Sequence, residues 1–466
     1  MKNRNIELKN QHTQDASNEV GGAQDIFYSP SSSSPLLTII RGEGIYLWDD
    51  QGNKYIDASS GPATCNIGHS NPAVLNAMQA QAQKLTFSFP STARNLPNIY
   101  LAKQLAELAG EGFERALFVS GGSEAVDMAI KFCRQYRYAK GEKSRNKLIS
   151  CVPSYHGMTV GALAVCGDPI FADVFGSMIS MSRKIPAMKR SLRPANQSEE
   201  QYALHCAQHL ETEILEAGKE SVLAFIIEPV GGSSSGANAP PETYFNEIRR
   251  ICSKYGVFLI YDEVMSGVGR TGEFLASHLW PNARPDITVL AKGLGAGYAH
   301  LGAMLAPAAL VDELSALTGF NYAHTYNASP LSCAVGSAVL NEVTGNKLVE
   351  NARVMGLYLR KALIELQRKS TVIGEIRGRG LLLGIELVAS KTYQKQFQSQ
   401  VDPLERFKLL ARDEGLLIYG RRSNGGAFGD PILIAPPLNI TRDEIDILVQ
   451  RLEKTVNAFE SEQNSN

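Results

Sequence analysis

The stretch that decides the fold runs from Asp286 to Gly302 and reads Asp-Ile-Thr-Val-Leu-Ala-Lys-Gly-Leu-Gly-Ala-Gly-Tyr-Ala-His-Leu-Gly. It begins with the apolar run Ile287–Ala291, which predicts a buried strand. The run ends at a single cation, Lys292, and the glycines that follow allow tight turns. Burial favours the neutral form of a lysine, the form that attacks a carbonyl group. Lys292 is therefore either a nucleophile of this kind or a strand cap that points to water.

The composition is that of an ordinary globular protein of 466 residues, with 44% hydrophobic and 20% charged residues. The net charge of −1 shows no excess of positive charge of the kind that nucleic-acid-binding proteins carry, so we expect no nucleic-acid partner. The seven cysteines include no CxxC pair, which predicts no metal site and no disulfide framework and favours a reduced, cytoplasmic setting. No apolar run has the length of a membrane span, and the N-terminus lacks the apolar core of a secretory signal, so we expect no membrane partner.

Four further apolar runs alternate with helical segments between Ala116 and Pro307; they are Ala116–Val119, Lys147–Val152, Val222–Ile227 and Val257–Tyr261. The alternation predicts an α/β fold with a mostly parallel sheet covered by helices on both faces. Ligands of such sheets bind at the carboxyl ends of the strands. The residues that follow each run are therefore the candidates for function.

The pattern changes after Pro330 and predicts a second, smaller α+β domain. We expect strands in Ile373–Leu387, Leu416–Tyr419 and Pro431–Ala435, and a last helix that a capping box opens at Thr441. The predicted division has four parts: a mobile N-terminal arm over 1–27, the N-terminal part of the small domain over 28–70, the large domain over 71–330, and the C-terminal part of the small domain over 331–466.

Two strand ends carry groups that suit a flat, anionic ligand. Ser-Gly-Gly-Ser-Glu-Ala, residues 120–125, opens a helix and presents backbone N–H groups to an anion. Ser-Tyr-His-Gly, residues 154–157, offers an aromatic ring that could stack on a planar group. Taken alone, each motif is equally well explained as an ordinary helix start or polar turn.

Two other strand ends place Glu228 and Asp262 where a carboxylate needs a cationic or hydrogen-bond-donating partner. Structural ion pairs are the alternative for each. The order of the whole set is more specific: an anion-binding loop, an aromatic turn, a strand-end Asp, and Lys292 thirty positions later. A phosphate cradle, a stacking ring, a partner for a ring nitrogen and an imine-forming amine are what pyridoxal phosphate requires.

Nine motifs, correctly ordered between about Gly42 and Thr441, resemble those of the class III, or ω-type, aminotransferases, which are pyridoxal-phosphate enzymes of fold type I. They are Gly-Glu-Gly-Ile-Tyr-Leu-Trp-Asp, Gly-Gly-Ser-Glu-Ala, Tyr-His-Gly, Ile-Glu-Pro-Val, Tyr-Asp-Glu-Val, Gly-Arg-Thr-Gly, Ala-Lys-Gly-Leu, His-Thr-Tyr and Ala-Pro-Pro-Leu. By this resemblance Lys292 is the lysine that forms a Schiff base with the cofactor. Asp262 is then the partner of its ring nitrogen, and Gly122 and Ser123 hold its phosphate.

The resemblance also implies the remaining cofactor contacts. Tyr155 stacks on the cofactor ring and Val264 lies on the other face. Glu228 lies near the ring oxygen and the substrate. Thr325 reaches the phosphate of the neighbouring subunit's cofactor, which implies a homodimer with shared active sites.

The substrate side departs from the family pattern. Many members that handle α-amino acids carry an arginine just before Ala-Pro-Pro-Leu, where this chain has Ile-Leu-Ile. We expect Arg421 or Arg422, in the preceding loop, to bind a substrate carboxylate; solvated loop cations are the alternative. Ala63 stands where amine transaminases often have a bulky residue, which predicts a roomier pocket. Phe87 and Phe89 line the pocket mouth, in this subunit or the partner, or pack in the core.

The resemblance therefore predicts a transaminase with a ping-pong mechanism. It would move an amino group from an amine or ω-amino acid to a keto acid, pyruvate or 2-oxoglutarate. An aminomutase and a decarboxylating transaminase use the same lysine and stay open as alternatives. A ligand-binding regulatory protein on this fold is the non-enzymatic alternative.

Overall fold

A computed structural model describes residues 36–391, 396–398 and 402–465, with side chains described as far as residue 463. The predicted mobile arm, residues 1–27, lies outside the described residues. The chain folds into three sheets and the helices that cover them. The first sheet begins near the N-terminus with β1 (Ile39–Glu43), β2 (Tyr46–Asp49) and β3 (Lys54–Asp57). β2 and β3 pair antiparallel and form a hairpin.

The central sheet has seven strands: β4 (Arg115–Val119), β5 (Lys147–Val152), β6 (Arg183–Pro186), β7 (Val222–Ile227), β8 (Phe258–Asp262), β9 (Ile287–Leu290) and β10 (Gly302–Ala306). Their order is β4-β10-β9-β8-β7-β5-β6. Only β10 runs antiparallel to its neighbours, so the predicted mostly parallel sheet is confirmed. The five predicted strands occur within a residue or two of their expected bounds; β6 and β10 were not predicted.

Helices cover both faces of this sheet because both faces are apolar. Ile226 and Ile260 pack under the helix that follows β4, in one core cluster. Phe225 and Leu259, one residue earlier on each strand, pack on the opposite face in another cluster. Successive side chains of a strand point to opposite faces, so a sheet covered on both sides needs uninterrupted apolar strands.

The helices up to this point are short or amphipathic and lie between the strands. They are α1 (Ser60–Ala63), α2 (Pro72–Ala82), α3 (Leu96–Ala109), α4 (Gly122–Ala139), α5 (Val160–Ala164), α6 (Pro169–Phe175), α7 (Glu199–Ala217), α8 (Glu242–Tyr255) and α9 (Ala308–Leu317). Single 3₁₀ turns cover Arg190–Leu192, Ala276–Leu279, Pro281–Ala283, Lys292–Leu294 and Ser423–Gly426. The Asn71 side chain accepts from two backbone N–H groups of α2, as its Asn-Pro start predicts.

The C-terminal part contains α10 (Pro330–Gly345), α11 (Leu348–Lys369), β11 (Ile373–Arg379), β12 (Leu382–Leu387), α12 (Pro403–Asp413), β13 (Leu416–Leu417), β14 (Tyr419–Gly420), β15 (Asp430–Ile434) and α13 (Arg442–Ser465). An antiparallel sheet has the order β11-β12-β15-β14. The predicted single strand Leu416–Tyr419 is wrong. Its first half, β13, pairs in parallel with β3, and its second half, β14, pairs with β15.

The N-terminal and C-terminal segments thus share one sheet, whose order is β1-β2-β3-β13. The domain boundaries at residues 70 and 330 stay predictions. Among the described helices, none has the length and apolar character needed to cross a lipid bilayer.

Candidate active site

The carboxyl ends of β4, β5, β7, β8 and β9 lie along one cavity of about 610 Å³. Strand ends of a mostly parallel sheet meet at one edge, so residues far apart in sequence become neighbours there. The cavity brings together eight of the predicted site residues: Gly122, Ser123, Tyr155, Glu228, Asp262, Val264, Lys292 and Arg421. Its volume is in the range that small-molecule sites occupy.

Lys292 follows β9 directly and its side chain lines the cavity. Its backbone has φ +40°, in the left-handed region that non-glycine residues rarely adopt. Burial lowers the pKa of its ammonium group from 10.5 to about 8, although the carboxylates of Asp262 and Glu228 act in the opposite direction. About a tenth of the amine is therefore neutral at pH 7, and the neutral form is the one that attacks a carbonyl group.

Asp262 ends β8 and is 5% exposed. One carboxylate oxygen, Oδ2, lies 2.7 Å from Nδ1 of His156, and the other accepts a hydrogen bond of 3.0 Å from the backbone N–H of Val264. Nε2 of His156 has no partner among the described residues. The two contacts fix the carboxylate in one orientation beside the cavity. The sequence does not predict this role of His156, because its partner lies 106 residues further along the chain.

The N-terminus of α4 opens onto the same cavity. Gly121, its N-cap residue, provides no side-chain cap, so the first N–H groups of an 18-residue helix stay available to an anion. A Cβ atom on Gly122 would lie 3.0 Å from both terminal methyl groups of Val264. A glycine is needed for this close approach. The Ser123 hydroxyl accepts from the backbone N–H of Met158 at 3.1 Å and so ties the helix start to the turn after β5.

Glu228 holds two walls of the cavity together. Its Oε2 accepts from the backbone N–H of Tyr155 at 3.1 Å, and its Oε1 accepts from that of Gly232 at 2.7 Å. Burial raises the pKa of its carboxyl group; His156 lowers the pKa and the charge of Asp262 raises it further. The half-buried ring of Tyr155 is fixed next to this carboxylate.

Of the two predicted arginines, Arg421 reaches the cavity. Its guanidinium carbon lies 5.2 Å from the ring centre of Tyr155 and 5.1 Å from that of Phe171. Its Nη2 lies 2.9 Å from Oδ2 of Asp168, a carboxylate that is 3% exposed. The two rings and the carboxylate hold the cation at the mouth of the cavity.

Arg422 turns away from the cavity, so Arg421 is the one of the two predicted arginines that lies where a substrate could reach it. Its guanidinium lies 3.0 Å from a carboxylate oxygen of Asp430, which is fully buried. It also donates hydrogen bonds to the backbone carbonyls of Gln398 and Gly425. Burial raises the pKa of the Asp430 carboxyl group to about 7, and the positive charge of Arg422 acts in the opposite direction.

Ala63 does not line the cavity; the neighbouring Pro62 and Thr64 do. Its backbone lies in the left-handed region, with φ +58°, and its methyl group is buried in the core cluster that includes Leu433. The structure therefore places the two neighbours of Ala63, and not Ala63 itself, at the cavity wall.

Phe87, Phe89 and Thr325 lie on the surface of this chain and not in its cavity. The two phenylalanines are 42% and 46% exposed, which excludes the core-packing alternative. Phe87 packs edge-on against Tyr326, with ring centres 5.9 Å apart. Their assignments to a shared site need a second subunit and stay predictions.

Ser233, His300 and Tyr419 are among the residues that line the cavity but that the sequence did not predict. The hydroxyl of Tyr419 lies 3.4 Å from that of Ser233 and donates to it. His300 belongs to the glycine-rich stretch after Lys292, so its position near the site had a signal in the sequence. Tyr419 had none, because its predicted strand is divided between two sheets.

One further group of potential metal ligands lies among the described residues, Asp57, Cys65 and His69, with ligand atoms within 4.8 Å of one another. Asp57 already accepts from the backbone N–H of Gly61 and lies 3.0 Å from the His69 ring. Burial raises the pKa of the Cys65 thiol to about 12, so it is protonated at physiological pH. These contacts describe a structural hydrogen-bond cluster.

Comparison with known proteins agrees with this geometry. Residues 27–456 match the family model described as Aminotransferase class-III. An uncharacterized aminotransferase of Schizosaccharomyces pombe is 35% identical, over 92% of this chain and 94% of its own. Putrescine–pyruvate aminotransferase of Pseudomonas aeruginosa is 32% identical, over 92% of each chain. The ω-transaminase of Pseudomonas jessenii, solved in complex with PMP, superposes with a TM-score of 0.87 at 31% identity and covers 94% of this chain and 97% of its own.

A mixed α/β fold with a cavity at the strand ends and a half-buried lysine in it is the arrangement of a fold type I transferase. The chain belongs to the class III aminotransferase family. It is an enzyme with transaminase activity, in a family whose members depend on pyridoxal phosphate.

Proposed function

We propose that the cavity holds pyridoxal phosphate and that the enzyme moves an amino group from an amine or an ω-amino acid to a keto acid, pyruvate or 2-oxoglutarate. The observation that carries the proposal is the juxtaposition, in one cavity, of the Lys292 amine with its pKa lowered to about 8 and the Asp262 carboxylate held by His156. The two half-reactions take place in turn, with one substrate leaving before the next binds.

The donor set fits the cofactor. The uncapped N-terminus of α4, with Gly122 and Ser123, suits a phosphate dianion. Asp262 suits the protonated nitrogen of a pyridine ring, because a buried carboxylate stabilises an adjacent cation. The ring of Tyr155 and the methyl groups of Val264 border the same space and suit the faces of a flat ring.

When bound, the protonated pyridine ring of pyridoxal phosphate supplies an acceptor for the electron pair left on the substrate carbon. Lys292 in its neutral form removes the proton from the amine-bearing carbon of the donor. In the second half-reaction its ammonium form delivers a proton to the corresponding carbon of the acceptor. Asp262 keeps the ring nitrogen protonated throughout. Glu228 fixes the turn at Tyr155 against the loop at Gly232 and so keeps the cavity wall in place.

Arg421 is the proposed carboxylate-binding residue. It lines the cavity, and an arginine can bind a carboxylate through two parallel hydrogen bonds. A keto acid would compete with Asp168 for the guanidinium. The putrescine–pyruvate relative and a diaminobutyrate–2-oxoglutarate transaminase of Halomonas elongata, 32% identical over 91% of each chain, support a donor with a terminal amine.

The proposed assembly is a homodimer in the cytoplasm. Exposed aromatic side chains at Phe87, Phe89 and Tyr326 support an interface at this surface, since large exposed apolar groups mark contact sites. Thr325 next to them is the proposed contact to the partner's cofactor phosphate. The seven free cysteines, six of them buried, support a reducing compartment. Light scattering would give the mass of the assembly, and a monomer at micromolar concentration would contradict the dimer.

The first test uses the visible absorption of purified protein loaded with pyridoxal phosphate. A simple amine without a carboxylate, added with no acceptor, should abolish the cofactor band, and pyruvate should restore it. Bleaching by β-alanine or 4-aminobutyrate but not by the simple amine would mean that the donor needs a distant carboxylate. Release of carbon dioxide would instead favour the decarboxylating alternative, and isomer formation without a keto acid would favour the aminomutase.

The second test removes the amine itself. Lys292→Ala should keep the fold and lose turnover. Lys184→Ala is the matched control, because burial also lowers the pKa of Lys184 to about 8, but this lysine donates to the hydroxyls of Ser150 and Ser182 outside the cavity. Appreciable steady-state activity in Lys292→Ala would contradict the assignment.

A further inference from the structure

A second cavity, of about 460 Å³, shares none of its lining residues with the active site. It lies between α11, the hairpin of β11 and β12, and the segments that precede α7 and α8. Four arginines line it: Arg190, Arg360, Arg377 and Arg379. Two carboxylates, those of Glu199 and Glu375, line it with them. The formal charge of these lining side chains is therefore about +2.

Two of the four arginines already have carboxylate partners. Arg377 lies 3.1 Å from Glu375 and also contacts Glu386, and Arg190 contacts Glu199. These pairs account for both acidic residues that line the cavity. Arg377 is therefore already paired within the protein and is not available to bind an anion.

The other two arginines have no ion pair among the described residues. Arg360 donates one hydrogen bond of 3.3 Å, to the backbone carbonyl of Gly378, and its remaining N–H groups have no protein acceptor in the described chain. Arg379 is exposed and has neither an ion pair nor a hydrogen bond in the described chain. Burial lowers the pKa of Arg360, the positive charges of Arg379 and Arg190 lower it further, and the charge of Glu375 raises it. Three positive charges thus lie close together here, and the carboxylate that acts on Arg360, that of Glu375, is already paired with Arg377.

The walls of the cavity are suited to more than an inorganic ion. Met188, Pro240, Leu357 and Ile376 provide apolar surface beside the guanidinium groups, and Asn238 provides a polar amide. A volume of about 460 Å³ exceeds that of a bare phosphate and suits a small organic molecule. Arginine binds tetrahedral phosphate oxygens through its planar fork of N–H groups.

We propose that this cavity is a binding site for a small phosphate monoester, whose dianionic phosphate lies between Arg360 and Arg379 and whose organic part lies on the apolar wall. The site is separate from the proposed cofactor phosphate cradle at α4. It lies next to the loop that contributes Gly232 and Ser233 to the active site. Arg377, which lines the second cavity, donates a hydrogen bond of 2.6 Å to the carbonyl of Gly236 in that loop.

The test is a calorimetric titration of the intact protein with inorganic phosphate in a phosphate-free buffer of low ionic strength. The protein is first saturated with pyridoxal phosphate and freed of excess, so that the cofactor site is filled. We expect one site per chain of millimolar affinity or tighter. Arg360→Gln and Arg379→Gln should each weaken it at least about tenfold, since each removes a charged hydrogen-bond donor to the phosphate, and the double variant should not bind.

Arg353→Gln is the matched control, because Arg353 lies on the same helix, is exposed, pairs with Glu350 and does not line the cavity. It should bind phosphate as the wild type does. If the double variant fails to fold, Arg360→Lys and Arg379→Lys provide a second test. Each keeps the positive charge but loses the planar set of N–H donors, so each should weaken phosphate binding by less than the corresponding Gln variant.

Three results would overturn the proposal: no binding to the wild type, equal binding to the folded double variant, or binding of malonate as tight as that of phosphate. The last would mean a dicarboxylate site. The titration involves no turnover, so its failure leaves the transaminase assignment untouched.

Discussion

The ammonium group of Lys292 should destabilise the cofactor-free protein, and removing it should stabilise the fold. Its pKa is 10.5 in an unfolded chain and about 8 in the folded one. Below pH 8 the side chain is charged in both states, and the folded state carries the full cost of burying that charge. As the pH rises from 8 towards 10.5 the folded state binds fewer protons than the unfolded state, so the cost declines.

The magnitude follows from the same two pKa values. Each pKa unit corresponds to 1.36 kcal/mol, so the cost is about 3 kcal/mol at pH 7 and about 2 kcal/mol at pH 9. Lys292→Met keeps the length of the side chain and removes its charge. The variant should therefore be more stable than the wild type by about these amounts.

The assay is urea unfolding of cofactor-free protein at equal concentration, at pH 7 and pH 9. Lys103→Met, on the exposed face of α3, is the control and should leave the free energy of unfolding unchanged at both pH values. If Lys292→Met were no more stable than the wild type, or if its advantage did not fall between pH 7 and pH 9, the reasoning from burial would be refuted.

Three further predictions concern the site. Asp262→Asn should slow turnover by more than about tenfold, or 1.4 kcal/mol, and weaken cofactor retention, because a neutral amide beside His156 no longer stabilises a protonated ring nitrogen. Unchanged turnover, measured with excess cofactor, would show that the ring nitrogen needs no charged partner. Arg421→Gln should raise KM for the keto acid by about 10-fold or more and leave the bleaching by a carboxylate-free amine unchanged. Arg422→Gln should instead lower the melting temperature and leave KM unchanged. Equal effects of the two substitutions on KM would contradict the assignment of Arg421. Capture of pyridoxal phosphate by cofactor-free protein, followed by stopped-flow absorbance, should accelerate up to about pH 8 and then level off, because only the neutral amine of Lys292 attacks the aldehyde; a flat profile from pH 6 to 9 would refute this.

The sequence predicted the strands that are buried on both faces and failed where a strand is short or rich in small residues. β7 is an uninterrupted apolar run and β9 is apolar apart from Thr288, so composition alone identifies them. β10 begins with glycine and contains two alanines, and it follows a glycine-rich turn that conceals it. Leu416–Tyr419 has the composition of one strand, but tertiary contacts divide it between two sheets.

The site was predictable where a residue's role depends on its place at a strand end. Lys292 and Asp262 are of this kind, because strand ends of one sheet converge whatever the intervening sequence. Contacts between distant segments were not predictable from one sequence. Arg421 and Asp168 are 253 residues apart, and only the fold shows that one pairs with the other. The roles proposed for Phe87 and Thr325 are of neither type, since they need a second copy of the chain.

The pairing of β3 with β13 has a consequence for how the protein is made. Ser59, just after β3, donates a hydrogen bond to the carbonyl of Leu417, 358 residues later. At about 5–20 residues per second, a ribosome needs roughly 20–70 seconds to add that length of chain. During this time the outer edge of β3 has no strand beside it, and an unpaired edge invites pairing with other chains. The first strands to be synthesised therefore complete their sheet among the last, and a nascent chain stopped before Leu416 should be a substrate for chaperones.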